Sequence, residues 1–312
     1  MKNVIVTGAT SMIGVALINE LVKDFKIQNI YAVVRSGCDK IDRLPLDERI
    51  KIIYCDISEY SNLSNYIQNK CDTFYHLAWT RTLTYNESYN DIILNCKNIQ
   101  NVLEAMCVAK KIGCNKFIGT GTQAEYGVEC IDSFSPESVC KPVRADGIAH
   151  LAAGQLAKCY ADKIEMDCIW MRVFSIYGEY DRKNSMISST IIKLLNKEHC
   201  SFTKSEQKWD YLYANDAGKA FYLVGKKVQG SHIYCLGSGV AKPLKEYIEK
   251  IRDIVSPNAE LGFGELKYPE NPVMNLCANI KQLQCDTGWK PEVEFEVGIK
   301  KICKYLQIES EN

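Results

Sequence analysis

The sequence predicts an α/β fold in which a doubly wound, mostly parallel sheet is followed by a smaller mixed C-terminal lobe. Short β-branched runs alternate with amphipathic helical stretches through the first half of the chain, and this rhythm is typical of right-handed crossovers between parallel strands. The first strand runs into a glycine-containing turn, and 312 residues are enough for one large domain with an appended lobe. The predicted strands cover 3–7, 30–34, 51–55, 73–78 and 116–120, and the predicted helices cover 12–24, 88–112 and 143–163.

The composition excludes several classes of function. Lysine plus arginine and aspartate plus glutamate both number 38, so no basic field is available to hold nucleic acid or an anionic membrane. No apolar run approaches the length of a membrane span. The 15 cysteines include no C-x-x-C pair and no zinc-like spacing. We therefore expect reduced thiols, no metal site and a soluble cytoplasmic protein.

The turn TGATSMIG, residues 7–14, is the first candidate ligand site. Gly8 stands where the backbone must turn tightly after the strand, and Gly14 allows the next helix to pack closely, so a pyrophosphate can bind the amides at the helix N-terminus. Ser11 stands where a third glycine is usual, and a tight turn without a ligand is the alternative. The residues predicted to contact a dinucleotide here are Gly8, Thr10, Ser11, Met12, Ile13 and Gly14. The sheet is therefore predicted to be of the Rossmann type.

The ends of the next strands indicate which dinucleotide binds. NAD-preferring sheets usually offer an acidic residue after the second strand, whereas this chain has Arg35 and Ser36, a cation and a hydroxyl suited to a 2′-phosphate. We therefore predict NADP, with NAD as the alternative if Arg35 is only a solvated surface residue. Further cofactor contacts are predicted after the third and fourth strands, at Asp56, Ile57, Leu77, Ala78 and Trp79. For Trp79, ordinary packing is the alternative.

Several ordered motifs together resemble a known family, the extended short-chain dehydrogenase/reductases, and in particular the nucleotide-sugar epimerases, dehydratases and reductases. The resemblance covers nearly the whole chain, and it is closest to 4-keto-sugar reductases and 4-epimerases that act on CDP-, dTDP- or UDP-linked sugars. The motifs are TGATSMIG (7–14), HLAW (76–79), GTQAEYG (121–127), MRVFSIYG (171–178), WDYLYANDAGKA (209–220), YCLGSG (234–239) and ANIKQLQCDTGWKP (278–291).

The resemblance implies that a serine or threonine four residues before the tyrosine of GTQAEYG bonds the reacting sugar oxygen, and this residue is Thr122. A hydroxyl can both donate and accept, which suits an oxygen that passes between alcohol and ketone. The dehydratase branch has Asp-Glu directly after this threonine, whereas this chain has Gln123 and Ala124. Dehydration is therefore disfavoured.

In the substrate lobe the chain departs from the family pattern at two positions. Asparagine is usual where Ser175 stands and arginine where Trp209 stands, and both help to hold the substrate pyrophosphate. Lys208 or Arg182 could compensate as point charges, but neither reproduces a bidentate arginine; for Trp209, hydrophobic packing is the alternative to stacking on the substrate. The run 184–203 is expected to supply base and phosphate contacts. The predicted substrate-binding residues are Thr122, Gln123, Tyr126, Ser175, Phe202 and Trp209.

The family's Tyr-x-x-x-Lys motif is altered in this chain. Counting from Pro142 without a gap, the tyrosine position is Asp146 and the lysine position is His150. In the usual pair the lysine lowers the tyrosine pKa, so that the phenol exchanges a proton with the sugar hydroxyl near neutrality. An aspartate is shorter than a tyrosine by most of a ring and is usually ionised. We predict Thr122, Asp146 and His150 as the catalytic residues, with His150 also placed to hold the nicotinamide ribose.

Three hypotheses follow for the altered pair. In the first, Asp146 and His150 share a helix face at i and i+4, and the aspartate favours an imidazolium that shuttles a proton. In the second, the proton travels through Thr122 with another group while His150 holds the ribose; the candidates are Tyr85, Glu125, Tyr126 and Cys140. In the third, redox catalysis is lost and only binding is retained. A routine surface interaction between Asp146 and His150 is the structural alternative.

Together these observations predict the organisation and the function. Residues 1–170 are expected to form the dinucleotide-binding domain, with a return to it near 205–235, and residues 171–312 to form the nucleotide-sugar lobe. We expect an NAD(P)-dependent oxidoreductase or epimerase that acts at C4 of a nucleotide-diphosphate sugar, a 4-keto reductase or 4-epimerase in surface polysaccharide synthesis. The alternative is a non-redox dinucleotide-binding protein with a degenerate active site. The resemblance implies a homodimer formed through the helices near 88–112 and 143–163.

Overall fold

The computed structural model describes residues 1–80 and 91–311. The strands are, in chain order, β1 (Asn3–Thr7), β2 (Asn29–Val34), β3 (Ile50–Tyr54), β4 (Thr73–His76), β5 (Lys116–Thr122), β6 (Asp167–Val173), β7 (Ser175–Tyr177), β8 (Cys200–Phe202), β9 (Lys208–Trp209), β10 (Tyr211–Tyr213), β11 (His232–Leu236), β12 (Lys242–Pro243) and β13 (Leu261–Phe263). The helices are α1 (Met12–Leu21), α2 (Leu63–Tyr66), α3 (Ile92–Ile112), α4 (Ala145–Ile164), α5 (Met186–Leu195), α6 (Ala214–Lys227), α7 (Leu244–Val255), α8 (Lys281–Thr287) and α9 (Phe295–Glu311).

The main sheet has seven parallel strands in the order β11-β6-β5-β4-β1-β2-β3. Its central strands are apolar because both faces are covered: Val4, Ile5 and Val6 of β1 are all fully buried. The order reverses at β1, since β2 pairs with one edge of that strand and β4 with the other. The predicted doubly wound parallel sheet is confirmed, and its topology favours a ligand crevice beyond the carboxyl ends of β1 and β4.

Helices cover the two faces of the main sheet as two pairs. Helices α1 and α6 pack together on one face, and Gly218 of α6 lies so close to α1 that a Cβ at this position would overlap the backbone of Ala16. Helices α3 and α4 pack together on the other face. Helix α3 begins after Asp91, whose carboxylate accepts a hydrogen bond from the Leu94 amide at 2.8 Å, and it ends at Gly113 in the left-handed conformation. Its boundaries therefore follow ordinary capping chemistry.

Three short two-stranded pairings, β7 with β10, β8 with β13 and β9 with β12, lie outside the main sheet. Helices α5, α7 and α9 surround a separate apolar cluster, with Ile191, Ile251 and Ile299 at its centre. The chain after residue 205 also contributes α6 and β11 to the layers of the main sheet. The division of the chain at residue 170 stays a prediction.

Within residues 1–80 and 91–311, no helix is both long and apolar enough to cross a membrane. The cysteines in the same ranges are free thiols. A search of these residues finds no cluster of three or more histidine, cysteine, aspartate or glutamate side chains that could hold a metal ion.

Candidate functional site

A cavity of about 760 Å³ opens at the carboxyl edge of the main sheet, where the topology predicts a ligand crevice. Its wall combines the start of α1, the segment after β4, the end of β5, one turn of α4, and the loop that joins β7 to α5. The lining residues are Ser11, Met12, Ile13, Leu77, Trp79, Thr120, Gly121, Thr122, Gln123, His150, Val173, Phe174, Ser175, Ile176, Tyr177, Tyr180, Asp181, Arg182, Asn184, Ser185, Met186, Ile187, Trp209 and Tyr211.

The turn between β1 and α1 forms one end of this cavity. Gly8 has a φ of 65°, and a Cβ there would lie 2.9 Å from the carbonyl carbon of Leu77. A Cβ at Gly14 would overlap the carbonyl oxygens of Gly8 and Ala9, so the helix reaches the turn only with glycine at this position. The Ser11 hydroxyl caps α1 by accepting from the Gly14 amide at 3.1 Å. This turn leaves room for the backbone-held pyrophosphate of a dinucleotide.

The ends of β2 and β3 carry the polar groups predicted to contact the adenosine half of the cofactor. Arg35 and Ser36 are exposed, and the Ser36 amide donates to Asp56 Oδ1 at 3.3 Å. Sequence analysis missed Arg43, whose Nη1 donates to the Thr10 carbonyl at 3.3 Å. Arg43 ends a short 3-10 turn, Ile41–Arg43, between β2 and β3, and no motif in the sequence marks it.

Thr122 ends β5 and lies in the wall of the cavity beside Gln123. Its hydroxyl accepts from the Ala124 amide at 3.3 Å, and its own amide donates to Glu125 Oε1 at 3.0 Å. These two hydrogen bonds form a capping box over the 3-10 turn Gln123–Tyr126. The Thr122 hydroxyl therefore has a fixed position, and it retains a proton that it can donate into the cavity.

A buried charged network supports this turn from below. Glu125 Oε2 accepts from Arg172 Nε at 2.7 Å, and Glu125 Oε1 accepts from the Trp170 indole at 3.0 Å. The Tyr126 hydroxyl accepts from Arg172 Nη1 at 2.9 Å and donates to the Ser135 carbonyl at 2.7 Å. Burial raises the pKa of Tyr126. Glu125 and Tyr126 are both fully buried, so the prediction that Tyr126 binds substrate is wrong, and both residues serve the packing of the turn.

Cys140, another proposed proton carrier, is not among the residues that line the cavity. The Cys140 thiol is half-buried, packs against the main core and lies 3.8 Å from the Ser138 carbonyl, and burial raises its pKa. Tyr85 lies outside the described residues. The position of Cys140 therefore does not support a role in proton transfer.

Asp146 and His150 lie on the predicted helix α4 but in different environments. Both Asp146 oxygens accept from Arg144, at 3.1 Å from Nε and 2.9 Å from Nη2, and Asp146 is absent from the cavity lining. The Asp146 carboxylate is therefore paired with Arg144, and its predicted catalytic role stays a prediction. His150 lines the cavity, and its Nδ1 lies 3.1 Å from the Thr120 carbonyl.

The imidazole of His150 is held in a defined state by these contacts. A carbonyl oxygen can only accept, so Nδ1 carries a hydrogen and Nε2 is the basic nitrogen of the neutral ring. The ring also stacks on the indole of Trp79, with centroids 3.5 Å apart and an interplanar angle of 15°. Trp79 thus lies beside the altered motif as well as at the edge of the predicted cofactor site.

Ser175 and Trp209, the two positions at which the substrate lobe departs from the family pattern, contact each other. The Trp209 indole donates to the Ser175 hydroxyl at 2.7 Å, and both residues line the cavity. This part of the wall is therefore neutral, with the indole hydrogen already bonded. Arg182 does line the cavity, whereas Lys208 is exposed and lies outside the lining.

Phe202, which was predicted to contact substrate, is not among the residues that line the cavity, and this contact stays a prediction. Its ring packs against Phe263, with centroids 5.6 Å apart, where β8 pairs with β13. Sequence analysis instead missed Asp181, a carboxylate in the cavity wall that accepts from the Arg182 amide at 2.7 Å. Burial raises the pKa of Asp181. The adjacent charges of Asp181 and Arg182, shortly after the motif MRVFSIYG, were the signal that could have identified this loop.

With the cavity defined, comparison with known proteins identifies the family. Residues 4–237 match the model of the NAD dependent epimerase/dehydratase family. The chain belongs to this family. Among its relatives, an Escherichia coli dTDP-4-dehydro-6-deoxyglucose reductase is 28% identical over 319 residues, covering 98% of each chain. A Salmonella muenchen CDP-abequose synthase is 25% identical, covering 96% of this chain and 97% of its own.

The fold of this family member also matches solved structures along its length. A UDP-N-acetylglucosamine 4-epimerase from Methanobrevibacter ruminantium, in complex with UDP-N-acetylmuramic acid, superposes with a TM-score of 0.87 at 20% identity and covers 99% of both chains. A Bacillus cereus UDP-glucuronic acid 4-epimerase in complex with NAD gives a TM-score of 0.83 at 20% identity, covering 98% of this chain and 96% of its own. The NAD-dependent family assignment agrees with the glycine cradle at Gly8 and Gly14.

Proposed function

We propose that this protein is an NAD(P)-dependent enzyme that acts at C4 of a nucleotide-diphosphate sugar, as a 4-keto reductase or a 4-epimerase, in surface polysaccharide synthesis. The observation that carries the proposal is the shared cavity: the dinucleotide turn, Thr122 and His150 all line it. The relatives named above include a nucleotide-sugar reductase, an abequose synthase and 4-epimerases, and Gln123 and Ala124 disfavour dehydration.

The turn between β1 and α1 would hold the dinucleotide, with Gly8 and Gly14 providing the space and Ser11 capping the helix. The nicotinamide, when bound, supplies or accepts a hydride. For the dinucleotide itself we propose NADP rather than NAD, because Arg35 and Ser36 follow β2 and no acidic residue stands at these two positions. Asp56 lies close by but is already bonded to the Ser36 amide.

Thr122 and His150 would handle the proton. In the reductive direction a hydride adds to C4, and the ketone oxygen takes a proton as an N–H bond breaks at Nε2 of the His150 imidazolium. The Thr122 hydroxyl bonds the same oxygen and keeps it in position. The reverse reaction returns the proton to Nε2. A histidine suits both directions because its ordinary pKa lies near neutrality.

We also propose a cytoplasmic homodimer formed through α3 and α4. Apolar side chains are exposed on both helices, among them Ile92 and Ile93 on α3 and Ile148 and Leu156 on α4. A second, apolar depression lies between the same helices; its lining residues are Leu103, Cys107, Leu156, Cys159, Tyr160 and Lys163. Burial of this surface against a second copy would remove it from water.

A second candidate function follows from the altered motif. Asp146 is bound to Arg144 and is not among the residues that line the cavity, and a carboxylate stands where the usual motif has a phenol. This observation favours a protein that binds a dinucleotide and a nucleotide sugar without redox turnover. Its cavity would then act as a sensing or regulatory site.

The test is to purify the protein, identify any dinucleotide that it retains, and follow reduced-nicotinamide absorbance with a panel of nucleotide 4-keto sugars and hexoses. Oxidation of the reduced dinucleotide with any member of the panel supports the enzyme and refutes the pure binding function. In an active protein, His150→Gln is expected to reduce turnover about 100-fold or more, since a positioned acid-base group contributes about that much.

If no member of the panel reacts, the double variant Asp146→Tyr/His150→Lys is the next test. Activity gained only by the double variant would show that the natural pair marks lost catalysis. In an active parent, abolition of turnover by the same double substitution would support proton transfer through the natural residues. The single variants are the matched controls.

A further inference from the structure

The segment after β4 is fixed directly beside the altered motif. Thr80 is bonded through both backbone groups to the buried Asn98 side chain of α3: its amide donates to Oδ1 at 3.0 Å, and its carbonyl accepts from Nδ2 at 3.0 Å. Asn98 is only 1% exposed. Trp79, the preceding residue, therefore starts from an anchored backbone, and its indole packs against the α3 side of the core.

The contact between Trp79 and His150 is close and nearly parallel. The two rings lie 3.5 Å apart between centroids at 15°, and both line the cavity. The Thr120 carbonyl holds Nδ1 of the same imidazole at 3.1 Å. The hydrogen bond to Thr120 thus fixes one edge of the imidazole, and the stacking on Trp79 fixes its plane. Together they leave the ring little rotational freedom.

We propose that Trp79 is a positioning residue for His150: its indole face orients the imidazole and stabilises its protonated form by a cation–π interaction. The inference rests on the proposed proton-transfer role of His150. A cation over an indole is favoured, and this attraction opposes the cost of burying a charge at a residue that is only 7% exposed.

Three described elements contribute groups around His150. On its own helix the Asp146 carboxylate is neutralised by Arg144. From β5 the ring meets the Thr120 carbonyl, and Thr122 at the end of that strand contributes a hydroxyl to the same cavity. From the segment after β4 it meets Trp79. An aromatic face therefore lies against His150, while the Asp146 carboxylate of the same helix is paired with Arg144.

Tryptophan fluorescence tests the inference without turnover, because a protonated imidazole stacked on an indole quenches its emission. The chain has four tryptophans, so the Trp79 signal is the difference between the wild type and Trp79→Phe. We expect wild-type emission to fall as the pH is lowered through a single step near neutrality. The step should be absent from Trp79→Phe and from His150→Gln, and it should remain in Trp209→Phe, which is the control for the second tryptophan in the cavity wall.

A pH profile of turnover supplies the second measurement. Trp79→Leu should move the acid-base midpoint assigned to His150 to lower pH by about half a unit, because the protonated imidazole loses its contact with the indole face. Trp79→Phe keeps an aromatic face and should move it less. Because Trp79→Leu could fail to fold, each variant is first checked by thermal melting, and the Phe variant alone still tests the direction of the shift.

The outcomes separate this inference from the proposed function. If wild-type emission shows no step while His150→Gln abolishes turnover, Trp79 does not sense the imidazole and the inference is overturned, but the proposed function stands. If the step is present and depends on His150 while His150→Gln turns over normally, the stacked pair exists but the proton-transfer role fails. An unchanged pH profile in both Trp79 variants would also overturn the positioning role.

Discussion

The two ends of the cavity are built in different ways. At the dinucleotide end, Gly8 and Gly14 shape the turn through backbone contacts that no side chain can replace. At the reaction end, both side chains of the usual motif are changed to Asp146 and His150, but Gly147 between them still packs against the carbonyl of Ala124, where a Cβ would overlap it. The comparison teaches that α4 packs closely against the turn at Thr122 even though the side chains at positions 146 and 150 have changed.

The largest expected effect concerns the buried network under the reaction end. Glu125→Ala should lower the free energy of unfolding by about 3 to 5 kcal/mol, because it leaves the Arg172 guanidinium buried without its carboxylate. Burial opposes the charge on Arg172, but the adjacent Glu125 and Tyr126 raise its pKa overall, so it remains a cation. Urea unfolding measures the loss.

The double variant Glu125→Ala/Arg172→Met is the control for this network. It should cost clearly less than the sum of the two single substitutions, since neither charge is then left unpaired. Additive losses would contradict the pairing. A Glu125→Gln variant that stays folded but loses turnover alone would show that Glu125 acts in chemistry as well as in packing.

The next effect tests the backbone-built end. Gly14→Ala should weaken dinucleotide binding by at least about 100-fold, because the added methyl overlaps the Gly8 and Ala9 carbonyls and displaces the turn that the pyrophosphate needs. Isothermal titration with NADP and with NAD measures the loss. Gly264→Ala is the control, outside the dinucleotide site: it adds strain at a φ of 86° but meets only the Lys204 side chain, at 4.0 Å. Binding by Gly14→Ala within threefold of wild type would contradict this account of the turn.

The third effect tests the reaction end without altering the dinucleotide end. Thr122→Val removes the hydroxyl but keeps the branched shape, so turnover should fall about 100-fold while dinucleotide affinity stays unchanged. The lost cap to the Ala124 amide should also cost about 1 kcal/mol of stability. Thr122→Ser is the matched control and should retain most of the turnover. Equal losses of dinucleotide affinity and turnover would mean that the two ends are not separable.

The parts of the molecule that the sequence predicts well are those that local pattern determines. The middle of β1, Val4 to Val6, is apolar because it is buried on both faces of a parallel sheet, and Gly8 and Gly14 mark a turn whose backbone admits no other residue. The helix that carries Asp146 and His150 was expected at 143–163 and lies at Ala145–Ile164. Hydrophobic periodicity and the positions of the glycines are therefore enough to predict these three elements.

The parts that the sequence does not predict depend on which neighbour a side chain meets. Asp146 has two possible partners within four residues, and the extended conformation of Arg144 before the helix brings the guanidinium to it. Tyr126 follows Thr122 closely along the chain, but the 3-10 turn points it into the core. Asp181 lies in an irregular loop, where no repeating pattern marks a residue as part of a cavity.

The smallest expected effect separates the two residues of the altered motif. Asp146→Asn should change turnover by less than about threefold, because the carboxylate is bound to Arg144 and lies outside the cavity lining. Its cost in stability should stay below about 1 kcal/mol, since the Arg144 side chain is 44% exposed and water screens the pair. Steady-state kinetics of Asp146→Asn and His150→Gln, measured side by side, compare the two losses of turnover. Arg144→Gln is the control, because it removes the other partner of the same ion pair. If Asp146→Asn instead matched the loss in His150→Gln, the two residues would act together as a proton-transfer pair, and the reaction end would depend on the charge at position 146 despite its ion pair with Arg144.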